Sequence, residues 1–205
     1  MRIIGGQAAG RIVQVPAGLG VRPMPDKVKL AVFNSLGDRV VGAAVLDLFS
    51  GTGALGHECL SRGARSVYSV ERSARHARCY QRNLAATGLP VTGVVLRVQD
   101  VFAALPQLAA SGRRFDLVIA DPPYGEKNTG RRSRSPAQQL LDAVDLPSLL
   151  APVGVLVLGH AKRDALDLGP LWREDRTLRH GDTIIRFLKP SETTHARADP
   201  PEIRP

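Results

Sequence analysis

The spacing of apolar residues changes character twice along this chain. Residues 2–5 and 11–15 are short β-rich runs joined through glycines, the pattern of a hairpin. After Arg22-Pro23-Met24-Pro25, Asp26 is placed to cap a helix in which Val28, Ala31, Val32 and Leu36 recur at helical spacing. From residue 44 the pattern becomes one of alternating strands and helices. Runs 45–49, 66–70, 94–98, 115–120 and 154–158 predict strands, and segments 54–62, 73–87, 101–110 and 137–150 predict the helices between them. Near-continuous apolar strands separated by helical lengths predict a parallel sheet covered on both faces. The end differs again: 172–178 and 183–188 flank Gly181-Asp182 as an antiparallel hairpin.

This order predicts an α/β fold in one domain over 1–189, with a hairpin-and-helix extension at 1–40 and a core at 41–189. The chain has 205 residues, 43% of them hydrophobic, enough for one full core. Residues 126–135 are polar and basic, and the Pro-rich stretch 190–205 is expected to be a disordered tail. No apolar run approaches the roughly 18–20 residues of a membrane span. Met1–Gly6 lacks the apolar stretch of a secretory leader, so a cytoplasmic protein is expected. The two cysteines, Cys59 and Cys79, fall in helical segments and read as small reduced residues. No CxxC or HxxxH spacing suggests zinc, and no metal is expected. With 28 Lys and Arg against 19 Asp and Glu, the net charge is +9. That surplus suggests an anionic partner, nucleic acid ahead of lipid, although a generally basic background gives the same sum.

The first chemical signal is Val45-Leu46-Asp47-Leu48-Phe49-Ser50-Gly51-Thr52-Gly53-Ala54-Leu55-Gly56, a G-x-G-x-x-G loop between strand and helix. Such a loop could seat a dinucleotide pyrophosphate at the helix N-terminus. Asp47 argues for another ligand. At the strand's end it would repel a pyrophosphate and attract the ammonium and sulfonium of S-adenosylmethionine (SAM). Glu71, about 20 residues beyond Gly51, stands where an acid accepts from ribose hydroxyls. Asp100 follows the third strand and can take an adenine amine, cap the next helix, or do both. The cofactor-binding set is thus Asp47, Phe49, Ser50, Gly51, Thr52, Gly53, Glu71, Arg72, Asp100, Val101 and Asp121.

The second signal is Asp121-Pro122-Pro123-Tyr124 after the fourth strand. Each residue alone is an ordinary strand terminator, turn residue or core edge. Together, at the edge where open α/β sheets bind ligands, they read as catalytic. An exocyclic amine on a base is a poor nucleophile. Acceptors on its hydrogens, here the Asp121 carboxylate and the Pro122 carbonyl, stabilise the charge that develops as it attacks a methyl group. Pro122 and Pro123 stiffen the loop, and Tyr124 gives the base a stacking face. Ring-carbon methylation would need a cysteine nucleophile, and neither Cys59 nor Cys79 lies on this loop.

With Met1-Arg2-Ile3-Ile4-Gly5-Gly6, Gly10-Arg11, Arg22-Pro23, Asp26, Val32-Phe33-Asn34 and Gly181-Asp182-Thr183, these motifs resemble the RsmD-type methyltransferases of small-subunit ribosomal RNA. The resemblance spans residues 1–189. It implies a Rossmann-like class I SAM-methyltransferase fold, a seven-stranded mostly parallel sheet with an antiparallel last strand. It further implies transfer from SAM, leaving S-adenosylhomocysteine, to guanine N2 of 16S rRNA, the target amine lying at Asp121–Tyr124. The chain departs from the family pattern at Met24, Pro25, Lys29 and Gly159-His160. The rivals are a DNA adenine-N6 methyltransferase, for which no spare target-recognition segment exists, a protein-glutamine methyltransferase, which more often shows Asn at the first loop position, and a non-catalytic assembly factor. A monomer acting within the small subunit is expected.

Two basic groups suggest where RNA lies: Arg2, Arg11 and Arg22 near the start, and Lys127, Arg131, Arg132 and Arg134 beside the catalytic loop. They would clamp phosphates around a flipped guanine, though the second group also reads as an ordinary solvated loop. Arg72, Arg75, Arg78 and Arg82 read as a solvated helix face. Of the five histidines, His160 alone falls near a strand's carboxyl end, and it is given no catalytic role. Replacing Arg131, Arg132 and Arg134 with Ala is expected to raise the KM for RNA and flatten its salt dependence. Steady-state kinetics over a salt series tests this; an unchanged KM and slope refute the clamp.

Overall fold

The computed structural model describes residues 1–15, 24–124 and 132–192. Arg22, Lys127, Arg131 and the tail beyond 192 lie outside the described residues. The N-terminal hairpin is minimal: Arg2 and Ile12 form one antiparallel bridge, with Ile3 N–H on the Arg11 carbonyl and Val13 N–H on the Met1 carbonyl, both at 2.9 Å. Helix α1 spans Asp26–Leu36. Pro25 is its cap and Asp26 its first residue, so the expected Asp26 cap is corrected. Asp26 instead receives Arg2 at 2.9 Å, while still placing an acid in the first turn, where the helix dipole favours it.

The core runs β1 (Ala44–Leu48), α2 (Ala54–Ser61), β2 (Ser66–Glu71), α3 (Ala74–Thr87), β3 (Val94–Val98), α4 (Val101–Ala110), β4 (Phe115–Ala120), α5 (Pro136–Asp142), β5 (Leu150–Ala161), β6 (Trp172–His180) and β7 (Thr183–Pro190). The seven strands form one sheet in the order β3-β2-β1-β4-β5-β7-β6. Pairs among β1 to β5 are parallel, and β7 lies antiparallel to both β5 and β6. The expected fold class holds. Among the described residues no helix is long and apolar enough to cross a membrane.

Two expectations need correction. The helix expected at 137–150 is the short α5, which stops at Asp142 where Ala143 turns extended; Pro147 opens a 3-10 turn and β5 begins at Leu150. Strand β3, read as buried, is an edge strand with Val95 and Val98 exposed. Strand β7 continues to Pro190, and Ser191 N–H bonds the Leu171 carbonyl at 2.9 Å.

The sheet separates two apolar clusters. Val45, Val67, Leu117, Ile119, Val157 and Ile185 face α1, α2, α3 and the hairpin, while Leu46, Leu48, Val70, Val118, Leu156 and Leu158 face α4 and α5. The first cluster also holds charge. Lys29 and Glu58 are both fully buried, 3.1 Å apart. Glu58 also accepts from Arg62 at 2.8 Å and from Ile4 N–H at 2.8 Å, and Lys29 donates to the Arg2 carbonyl. One carboxylate thereby ties α1, α2 and the hairpin together. Lys29→Met strands part of that charge and is expected to lower the unfolding free energy by about 3 kcal/mol, read by urea denaturation.

Candidate active site

The carboxyl edge of β1 and β4 collects the chemical groups. After Leu48 the backbone turns at Phe49, which has φ of 57°, and reaches α2 through Ser50-Gly51-Thr52, with Gly53 as the cap. The turn must be tight because α2 sits almost on β1. A Cβ at Gly56 would lie 2.7 Å from Asp47 Oδ2, the atom that accepts the Gly56 N–H at 3.0 Å. Gly53 similarly covers the ring of His57, 2.3 Å from where its Cβ would stand. That ring packs on Tyr80 and has neither nitrogen hydrogen-bonded, so burial drives its pKa down to about 4.

Asp47 is 1% exposed. Burial pushes its pKa up to about 8, against the Gly56 hydrogen bond and with help from the charges of Glu71 and Asp121. Glu71 closes the loop from the other side. It accepts Gly51 N–H at 2.9 Å and Ser73 N–H at 2.8 Å, and it faces His76 Nδ1 at 3.3 Å. Both of its oxygens are therefore engaged in holding the loop. Ser50 Oγ is buried without a partner. Phe49 meets Phe102 edge-on with ring centroids 6.0 Å apart. Asp100 caps α4, accepting from Phe102 N–H at 2.9 Å and Ala103 N–H at 3.3 Å, and stays exposed. Arg72 is exposed; the Val101 side chain is buried in the core, leaving only its backbone for a ligand.

Asp121 comes directly after β4, on the same sheet face as Asp47. Asp47 is the register partner of Ile119, and side chains two apart on a strand share a face. Burial of the Asp121 carboxylate raises its pKa to about 6. Gly159 on β5 makes room for it, since a Cβ there would meet Asp121 Oδ1 at 2.6 Å. Pro122 is buried and Pro123 exposed. Tyr124 is tethered through its hydroxyl to Thr183 Oγ1 at 2.9 Å. His160 is turned to Arg186, whose Nε donates to its Nε2 at 3.1 Å, and it belongs to the sheet rather than the site.

Known proteins share this combination of fold and motifs. Residues 1–189 match the family described as "Conserved hypothetical protein 95". The chain belongs to this family. It is 34% identical over 160 residues to a Bacillus subtilis protein named "Putative rRNA methyltransferase YlbH", covering 78% of this chain and 82% of that one. It is 38% identical over 124 residues to the Escherichia coli K12 "Ribosomal RNA small subunit methyltransferase D", covering 60% of each. The solved structure named "Putative methyltransferase yhhF from Escherichia coli" superposes with a TM-score of 0.74 at 26% identity, over 93% of this chain and 98% of that one. The resemblance read from the motifs therefore holds.

The predicted basic residues divide. Arg11 and Arg134 are exposed, as are Arg75, Arg78 and Arg82 on α3. Arg2 is paired with Asp26, and Arg132 with Asp142 at 2.7 Å and Asp167 at 3.5 Å. Arg132 thus anchors the chain ahead of α5. Sequence reasoning gave Gly159 and Thr183 no role at the site, although both stand in segments it had marked, and it passed over Asn83 entirely.

The site suits a cationic cofactor on its own evidence: a buried carboxylate and a half-buried one hold pKa values raised above the usual range, and a buried hydroxyl lacks a partner. Because Asp47 ionises near 3.8 when exposed and near 8 when folded, the cofactor-free protein loses stability as pH rises through that window. Asp47→Asn, which keeps the acceptor for Gly56, is expected to remove this slope and to stabilise the cofactor-free protein at pH 8 by on the order of 2 kcal/mol. It should also weaken SAM binding. Urea denaturation between pH 5 and pH 8 reads the slope, and calorimetry reads the binding.

Proposed function

We propose that this chain transfers a methyl group from SAM to the exocyclic N2 amine of a guanine in small-subunit ribosomal RNA. It is a SAM-dependent RNA methyltransferase. The observation that carries the reading is the Asp121–Tyr124 turn, its carboxylate seated over Gly159 and its tyrosine tethered to Thr183, on the sheet face that also bears Asp47. The names of the Escherichia coli and Bacillus subtilis relatives support the RNA substrate.

The cofactor is held by Asp47, the backbone of Phe49–Gly53, Glu71, Asp100 and the backbone of Val101. It supplies, when bound, a methyl group activated on a positively charged sulfur. Asp121 and the Pro122 carbonyl accept the hydrogens of the guanine amine, drawing its lone pair out of conjugation with the ring. On taking up that methyl group from the sulfur, the amine would become cationic. Asp121 stabilises that charge and stands ready to take the departing proton. Tyr124 offers its ring face to the base and is held in place by Thr183. Arg2, Arg11 and Arg134 contact phosphates, and the guanine leaves its stack to reach Asp121. The enzyme works as a cytoplasmic monomer on the assembled small subunit.

Asp121 must be ionised to accept, so with its pKa near 6 the rate should fall as pH drops below about 6. Asp121→Asn should cost about 100-fold or more in kcat while weakening SAM binding far less. The deciding assay offers labelled SAM with small subunits from cells lacking the protein, with bare rRNA and with DNA, and ends in nucleoside digestion. N2-methylguanosine at one rRNA site is the expected product. Label only as N6-methyladenine in DNA, or SAM binding without any transfer, overturns the reading.

A further inference from the structure

Asn83, on α3, is 2% exposed, and its amide is spent on two separate segments. Its Oδ1 accepts Gln14 N–H at 2.9 Å, and its Nδ2 donates to the Gln14 carbonyl at 3.0 Å. The same Nδ2 donates its second hydrogen to the Thr52 carbonyl at 2.9 Å. Cys79, one turn earlier, adds its Sγ to the Gln14 carbonyl at 3.4 Å. An asparagine amide has two donors and one acceptor group, and here all are used. Among the described residues Asn83 alone bonds both the N-terminal arm and the glycine loop.

The loop end of this connection is sensitive. Thr52 lies between Gly51, whose N–H is held by Glu71, and Gly53, which caps α2. Moving the Thr52 carbonyl reorients the Thr52–Gly53 peptide that leads into α2. At the other end, the arm carries Arg11 three residues before Gln14, and its remaining ties go elsewhere. Ile4 bonds Glu58, and Gly5 and Ala8 bond Ser61, all on the half of α2 remote from the loop.

We infer that Asn83 is a positioning residue that couples RNA on the N-terminal arm to cofactor in the glycine loop, through the single amide shared by Gln14 and Thr52. This rests on the reading that the arm contacts RNA. Whichever ligand binds first sets the Gln14 and Thr52 peptides that share the amide in the positions the other needs, so the second binds more tightly. Linkage requires the two enhancements to be equal.

The experiment titrates S-adenosylhomocysteine, which cannot react, into the full-length protein with and without saturating unmodified small subunits, and then titrates subunits with and without S-adenosylhomocysteine. The wild-type protein is expected to show at least about fivefold tightening in both directions, by the same factor. Asn83→Asp keeps the acceptor for Gln14 N–H and loses both donations; its factor should fall to within twofold of one. Asn83→Ser serves the same purpose should the first variant not fold. Ser61→Ala loosens the arm without touching the loop and should keep the wild-type factor. Retention of the factor in the Asn83 variants, or its equal loss in Ser61→Ala, overturns the coupling. A wild-type protein that methylates the subunits but shows no tightening overturns the coupling and leaves the activity standing. Subunits neither bound nor methylated overturn both.

Discussion

The site depends on one close approach, that of α2 to β1 at Gly56. With a side chain at that position Asp47 Oδ2 would be displaced, and the first turn of α2 could not sit over the strand end. The approach shuts water away from Asp47 and raises its pKa, and the single Gly56 N–H does not compensate. Glu71 and Asp121 add negative charge from two sides. The cofactor-free fold therefore holds a carboxylate that is stable only when protonated or paired with a cation. A sulfonium-bearing, ammonium-bearing ligand meets that demand where a pyrophosphate would worsen it, and the same electrostatics that burden the free protein favour the cofactor.

A second buried charge does different work. Glu58, beside His57 on α2, collects Lys29, Arg62 and Ile4 N–H. Such a cluster contributes little net stability compared with apolar residues of equal volume, since desolvation offsets attraction. Its value is in orientation. Apolar packing alone would let the small hairpin slide over α2, whereas a carboxylate with three directional partners sets one register. The hairpin, held there at one end and by Asn83 at the other, lies along the helix that carries the glycine loop.

Strands 94–98 and 115–120 and helix 101–110 coincide with β3, β4 and α4 because their apolar periods are uninterrupted and their neighbours are clear breakers. The site's two motifs were equally legible: G-x-G-x-x-G encodes the Gly56 approach in its spacing, and Asp-Pro-Pro-Tyr places its acid directly after a strand. Periodicity could not convey the partner of a buried polar residue. Lys29 and Asn83 look like solvent-facing breaks in apolar patterns until the chain brings Glu58 and Gln14 to them. The same limit applies to Gly159, whose missing side chain has meaning only because Asp121 comes to lie above it. At 137–150 the apolar period ran on past Asp142, where the backbone leaves the helix at Ala143 for a 3-10 turn and then β5.

The antiparallel hairpin at the end of the chain answers to the same geometry. Parallel strands present their last residues at the edge that bears the candidate site, so each can contribute only its carboxyl end and the loop beyond. A strand inserted in the opposite direction presents its first residue there instead. Strand β7, between β5 and β6, begins at Thr183 opposite Ala161, the last residue of β5. Its hydroxyl thereby reaches Tyr124, which leaves β4 two strands away. A tyrosine on a loop with no such partner could swing freely; a strand of reversed polarity supplies a fixed anchor for its hydroxyl. The Gly181-Asp182 turn matters to the site through this contact, by starting β7 at Thr183, two residues before Ile185, the register partner of the Gly159 that makes room for Asp121.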